Sequence, residues 1–124
     1  MIKIASAVAV GGGLGSVLRF FISSIVALHW SRHYYMGTLL VNWIGCLGIG
    51  FCSVYFLSRS DLSPVWRNAV TVGVLGGLTT FSSFSLDVLT LYNSGRGLLA
   101  LVYLLASVLG GLVLAALGMT LARV

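Results

Sequence analysis

Charged residues are scarce in this sequence. Only 7% of its 124 residues are charged and just two of these are acidic, whereas 59% are hydrophobic. A typical soluble domain carries about 25% charged residues. The chain therefore has too little polar surface to cover a water-soluble globule, and we predict that it lies in a membrane.

Residues that support catalysis are also few. The two histidines, His29 and His33, lie in a loop with no thiol or carboxylate partner nearby, and the chain has no P-loop lysine. The two cysteines, Cys46 and Cys52, point in different directions on a helix, so we expect no disulfide. The net charge of +5 is scattered rather than gathered in a patch, which argues against nucleic-acid binding. We predict that the protein is not an enzyme.

Four apolar stretches are long enough to cross a bilayer, which needs about 20 helical residues per crossing. They cover about residues 4–28, 37–57, 65–92 and 98–122. The alternation of apolar and polar residues that β-barrel strands need is absent. The run after Lys3 is too long and too rich in glycine for a cleaved signal peptide. We predict a single all-α integral membrane domain, residues 1–124, with four transmembrane helices.

Basic residues are distributed almost evenly between the two sides of this predicted bundle. Four spans place both termini on one side, which carries four basic residues, against two on the other side. The four are Lys3, Arg59, Arg67 and Arg123, and the two are Arg32 and Arg96. Orientation follows the Lys/Arg bias, so a difference of two allows the chain to insert in either direction.

Small residues recur four positions apart in three of the spans. The sets are Gly11 and Gly15, Gly73 and Gly77, and the series Ser107, Gly111 and Ala115. This spacing is typical of closely packed membrane helices, although glycine is also simply common in such helices. Four helices leave little room along the axis of one bundle. A pathway across the membrane would therefore be shared between chains.

Two ionisable residues lie inside the predicted spans, where such groups are candidates for function. Arg19 lies well inside the first span and Asp87 lies towards the end of the third. The alternative for Arg19 is a side chain that reaches an interface, and the alternative for Asp87 is exposure to water. Asn42 adds a polar amide in the second span, with Thr38 one turn earlier, and its alternative role is a hydrogen bond between helices.

The segment GGLTTFSSFS, Gly76 to Ser85, is unsuited to the middle of a membrane helix. Paired glycines and paired threonines disfavour a helix interior, and a break would release backbone groups that need partners. We expect a break over Gly76 to Thr80, with the carbonyls of Gly76 and Thr79 facing a cation such as Na⁺. The alternative is a glycine kink against a neighbouring helix.

Phe81 and Phe84 follow at a spacing that puts both rings on one helix face. The edge of an aromatic ring carries a partial positive charge, so two ring edges beside an amide suit a small anion. Ordinary core packing is the other interpretation of such a pair.

Three motifs, GGGLGSVLRF, GTLLVNWIG and GGLTTFSSFS, together with the length and the four spans, resemble the CrcB/Fluc family of small fluoride channels. The resemblance covers essentially the whole chain. It implies a passive, fluoride-selective channel in a bacterial plasma or inner membrane that exports F⁻ from the cytoplasm and relieves fluoride toxicity. It also implies an antiparallel, dual-topology homodimer with a broken third helix.

The resemblance further implies roles for individual residues. Gly76 and Thr79 would give backbone carbonyls to a structural Na⁺ at the dimer interface, Arg19 would be the family's first-span arginine, and Gly111 falls where a further hydroxyl can occur. The fluoride pathway would be lined by Asn42, Phe81, Phe84, Thr38, Ser82, Ser83, Tyr103 and Ser107.

Two other functions fit the size of the chain. A small dual-topology, proton-coupled multidrug exporter shares the four spans, but it needs a carboxylate deep in the first span, where this chain has Arg19 and no acid. A non-conducting subunit of a larger membrane complex is the second, and the track of polar residues argues mildly against it.

Overall fold

The protein is entirely helical. The computed structural model describes residues 1–124. Its helices are α1 (Ile2–His29), α2 (Tyr35–Ser58), α3 (Pro64–Asn68), α4 (Gly76–Leu78), α5 (Phe81–Asn93) and α6 (Gly97–Leu121), with a 3₁₀ turn at Ser31–His33 and a π-helical segment at Ala69–Leu75. Four segments are long and apolar enough to span a membrane: Ile2–His29, Tyr35–Ser58, Pro64–Asn93 and Gly97–Leu121. The prediction of an all-α protein with four membrane spans is confirmed.

Local interactions determine where the third segment, Pro64–Asn93, begins and ends. Ser63 caps its start by accepting a hydrogen bond from the backbone N–H of Trp66 at 3.4 Å, and Pro64 takes the first helical position, where no N–H is needed. After Asn93 the chain turns through Gly95, whose φ of 78° lies in the left-handed region that glycine adopts without strain.

The third segment crosses the bundle. Its first half, from α3 through the π-helical segment to α4, packs on α1, whereas α5 packs on α6. The most extensive helix pair is α2 with α6. A small core lies where α2, α5 and α6 meet, and it consists of Tyr35, Leu39, Leu91, Ala100 and Tyr103.

Glycines bring α1 and the first half of the third segment into backbone contact. A Cβ atom on Gly15 would overlap the backbone carbonyl of Val74 and lie 2.9 Å from the Leu78 nitrogen, and a Cβ on Gly73 would lie 3.1 Å from Gly11. Gly11 and Gly73 therefore face one another within one chain, while Gly15 lies against the backbone of Val74 and Gly77 against that of Gly12. Close backbone approach of this kind is what small residues allow in membrane helices.

Most of the chain's surface is apolar and exposed. Only 18 of the 124 residues are buried, and large hydrophobic side chains are exposed on every span. Lipid or a second subunit must cover this surface, because such extensive apolar exposure is unfavourable in water.

Replacing Gly15 with alanine is expected to destabilise the fold by about 1–3 kcal/mol, because the added methyl group meets backbone that has no room to move. Thermal unfolding of the purified protein measures the effect. Gly13→Ala is the matched control, since nothing lies within 4 Å of a Cβ built at Gly13. Equal stability of the two variants would show that the contact between α1 and Val74 is looser than described.

Candidate functional site

The third segment leaves helical geometry at two residues. Helix α4 ends at Leu78, Thr79 has φ −84° and ψ 157°, Thr80 has φ −153° and ψ 123°, and α5 begins at Phe81. Gly76 keeps helical angles. The extended segment is therefore shorter than the Gly76 to Thr80 range expected from the sequence. The two β-branched threonines take the extended conformation, which suits their side chains better than a helix does.

The side chain of Asn42 bonds both backbone groups of Thr80. Its amide nitrogen donates to the Thr80 carbonyl at 3.0 Å, and its amide oxygen accepts from the Thr80 N–H at 2.7 Å. The asparagine thus pairs with the extended residue much as a neighbouring strand would. A second N–H of the amide is left, because an asparagine amide carries two donors.

The carbonyls of residues 76–79 lose their helical donors at this point, because a new helix starts at Phe81, and two of them belong to Gly76 and Thr79. In a continuous α-helix the Thr80 N–H would bond the carbonyl of Gly76, and the Ser83 N–H would bond that of Thr79. Here the Thr80 N–H donates to Asn42, and the Ser83 N–H donates to the Thr80 hydroxyl at 3.2 Å. The extended segment therefore releases the carbonyls of Gly76 and Thr79.

A surface cavity of about 610 Å³, the Asn42 cavity, lies beside these groups. It brings together six residues singled out from the sequence: Asn42, Gly76, Thr79, Phe81, Phe84 and Ser107. The hydroxyl oxygen of Ser107 is buried and has no hydrogen-bond partner within the chain. Phe81 is 79% exposed, so its ring faces outward from a single chain at the level of the extended segment.

A second surface cavity of about 420 Å³, the Arg19 cavity, lies on the other side of Thr80. Thr80 lines both cavities. The lining of the Arg19 cavity is almost wholly polar or small and contains no acidic residue: Ser16, Arg19, Phe20, Ser23, Ser24, Ala27, Thr38, Thr80 and Ser83. A basic side chain among hydroxyl groups, with no carboxylate to neutralise it, favours an anion.

An aromatic row continues inward from the Asn42 cavity. The ring centroids of Phe81 and Phe84 are 5.7 Å apart, those of Phe84 and Tyr103 are 5.5 Å apart, and those of Tyr103 and Tyr35 are 5.2 Å apart. Tyr103 is buried, and its hydroxyl donates to a carboxylate oxygen of Asp87 at 3.3 Å. Asp87 therefore has a tyrosine partner and is not simply directed into water.

Four of the residues expected along the pathway lie outside the Asn42 cavity. Thr38 and Ser83 lie in the Arg19 cavity. Tyr103 lines neither cavity, although it contacts Phe84. Ser82 is exposed and also lines neither cavity, and its hydroxyl lies 3.3 Å from that of Thr80.

Sequence reasoning missed part of both linings. Ser16, Ser23 and Ser24 join Arg19, and their signal was the helical spacing of Ser16, Arg19 and Ser23, which places all three on one face of α1. In the Asn42 cavity the omissions were Gly45, Cys46, Ile49, Thr71, Leu75 and Val108. These are ordinary residues of an apolar span, and nothing in their spacing distinguishes them.

Removing the Asn42 amide should destabilise the protein strongly. Asn42→Leu keeps the branched shape and the number of heavy atoms of the side chain but leaves the Thr80 N–H and carbonyl unpaired, and each unsatisfied group in a membrane costs several kcal/mol. Thermal unfolding in detergent is the measurement. Asn68→Leu is the control, because the Asn68 amide also donates to a backbone carbonyl, that of Pro64, but at an exposed site. A similar small loss in both variants would mean that Thr80 finds other partners.

Comparison with known proteins identifies the family of this chain. The family model for "CrcB-like protein, Camphor Resistance (CrcB)" matches residues 6–119. The chain is 51% identical to a protein of Stutzerimonas stutzeri and 50% identical to one of Azotobacter vinelandii, each over 99% of both chains. A Pseudomonas putida protein is 51% identical over the same share. All three relatives bear the name "Fluoride-specific ion channel FluC". The chain therefore belongs to the CrcB family, as the resemblance of its motifs indicated.

Proposed function

We propose that this protein is a passive, fluoride-selective ion channel that exports F⁻ from the cytoplasm. The observation that carries the proposal is the identity of about half of the residues, over nearly the whole length, to proteins named as fluoride-specific ion channels. The two cavities on either side of Thr80, with Arg19 in one and an asparagine amide in the other, support it.

In this proposal the Arg19 cavity is the anion's entrance. Its guanidinium attracts anions from water, and the hydroxyl groups of Thr38 and Ser83 replace part of the hydration shell. Ser82, exposed beside Thr80, would present its hydroxyl to the same path. Basic and hydroxyl donors without a competing carboxylate suit a small, strongly hydrated anion better than a cation.

The Asn42 cavity would carry the ion across the narrowest part. The second amide N–H of Asn42, the unpartnered hydroxyl of Ser107 and the edges of Phe81 and Phe84 are the donors available there. Tyr103 contacts Phe84 and would continue this surface. Each of these groups would bind the ion only weakly, so the ion could pass from one to the next and leave again, as conduction requires. A path narrow enough to replace part of the hydration shell of fluoride would exclude the larger chloride ion.

Fluoride export through such a channel needs neither a pump nor a chemical reaction to drive it. Hydrogen fluoride crosses bilayers uncharged and dissociates in a more alkaline cytoplasm, which traps F⁻ inside. An inside-negative membrane potential then expels the anion with about 2.3 kcal/mol per charge per 100 mV.

We propose that the working unit is an antiparallel, dual-topology homodimer. The near balance of basic residues, four on one side and two on the other, suits insertion in both directions. Both cavities open on the surface of one chain, and Phe81 is largely exposed in mid-segment. A second subunit on this surface would cover Phe81 and enclose the path.

We also propose a structural Na⁺ at the dimer interface, held by the carbonyls of Gly76 and Thr79. Hard cations such as Na⁺ prefer oxygen ligands, and these two carbonyls have lost their helical donors. No cluster of His, Cys, Asp or Glu that could hold a metal is present, so backbone oxygens are the donor set that fits. The third segment would then act as a broken helix whose carbonyls face the ion.

The proton-coupled exporter is the alternative. Helix α1 contains no acidic residue, and the cavity beside it has Arg19 instead. A group that exchanges protons for cationic substrates is therefore missing from the place where such exporters need one.

Fluoride efflux from proteoliposomes tests the channel. Vesicles loaded with potassium fluoride are expected to release F⁻ only when a potassium ionophore balances the charge, and vesicles loaded with potassium chloride should retain Cl⁻. A fluoride electrode records the efflux. Electroneutral efflux that follows the proton gradient would instead support an exchanger, and absence of flux from correctly folded dimers would contradict the channel.

Replacing Phe81 with isoleucine should lower fluoride efflux by about tenfold or more, because an aliphatic side chain has no positively polarised ring edge. Gel filtration should show dimers unchanged. The control is Phe21→Ile, at an exposed phenylalanine that lines neither cavity. Normal efflux in both variants would show that the Phe81 ring contributes only to packing and not to fluoride conduction.

A further inference from the structure

Gly45 of α2 lies directly against the side chain of Thr79. A Cβ atom built on Gly45 would overlap the Thr79 methyl group, Cγ2, while remaining 3.5 Å from the Thr79 Cβ, an ordinary van der Waals distance. Gly45 is buried and is the residue three positions after Asn42, so the two share one face of α2. This face contacts both extended residues, Thr80 through Asn42 and Thr79 through Gly45.

The hydrogen bonds that Thr79 donates stay within the third segment. Its hydroxyl and its backbone N–H both donate to the carbonyl of Leu75, each at 3.0 Å. With the hydroxyl held there, the methyl group is directed at Gly45. Because a β-branched side chain is stiff about χ1, the space at Gly45 and the Leu75 carbonyl together fix the side chain and limit how the Thr79 peptide can rotate.

Gly45 differs in this respect from the glycines that bring α1 and the third segment together. A Cβ on Gly11, Gly15 or Gly77 would meet backbone atoms of the facing helix, whereas a Cβ on Gly45 would meet one methyl group of one side chain. An added methyl at Gly45 can therefore be compensated by removing the methyl of Thr79. No such exchange is available where the obstacle is backbone.

We propose that Gly45 is a positioning residue for the cation site. By leaving room for the Thr79 methyl group, it holds the Thr79 peptide in the orientation that presents its carbonyl to the ion. The inference rests on the proposed Na⁺ site at Gly76 and Thr79. It adds a residue of another helix that touches neither the ion nor its ligand atoms and acts through the Thr79 side chain alone.

Na⁺-dependent stability of the purified dimer tests the inference without relying on flux. Thermal unfolding is followed as Na⁺ replaces N-methylglucamine at constant ionic strength, for the wild type, Gly45→Ala, the double variant Gly45→Ala/Thr79→Ser, and the control Gly13→Ala. Gly45→Ala should need about tenfold more Na⁺ for half of the stabilisation, because overpacking of this size displaces its neighbours. The double variant should return close to the wild-type concentration, and Gly13→Ala should match the wild type.

The outcomes separate the two ideas. A wild type whose stability does not respond to Na⁺ overturns the cation site, and the role of Gly45 with it. A Na⁺-responsive wild type with an unchanged Gly45→Ala variant, or with a double variant as impaired as the single one, overturns Gly45 alone. If Gly45→Ala yields no folded dimer, the double variant decides: a folded dimer with near-wild-type Na⁺ dependence supports the proposal, and its absence overturns it.

Discussion

The structure depends on one pair of hydrogen bonds in the middle of the third segment, between the Asn42 side chain and the backbone of Thr80. In a bilayer no water is available to satisfy a backbone group that leaves a helix. Extended backbone at Thr80 is tolerated because a single amide supplies both the donor and the acceptor that it needs. Without that amide, the N–H and the carbonyl of Thr80 would both lack a partner.

The consequences of that pair extend to both sides of the bundle. The released carbonyls lie on the Asn42 cavity, while Thr80 itself separates this cavity from the one around Arg19. The Thr80 hydroxyl caps α5 by accepting from the Ser83 N–H, and this orients the helix that carries Phe81 and Phe84. One side chain of α2 therefore holds the extended residue from which α5 starts and which borders both cavities.

The four spans could be predicted from the sequence because hydrophobic length is a local property, and each stretch satisfies it alone. Asn42, Arg19 and the two phenylalanines could also be singled out as candidates, since polar or paired aromatic residues stand out in an apolar span. The partner of Asn42 could not, because Thr80 lies 38 positions away and spacing rules relate only residues on the same helix. Gly45 closes the GTLLVNWIG motif, but its contact could not be foreseen for the same reason, because it depends on the Thr79 methyl group that lies against it.

The sequence by itself determined that the chain is a helical membrane protein, that its third span contains a segment unsuited to a helix, and that few groups inside the membrane can interact with an ion. Composition and periodicity suffice for these conclusions, because they follow from the cost of placing polar groups in lipid. Only the tertiary structure decided where the helix is interrupted, at Thr79 and Thr80 rather than at the glycines. That choice depends on which helix lies alongside: α2 offers an amide at Asn42 and a space at Gly45, and these two contacts make the extended conformation of the threonines the favourable one.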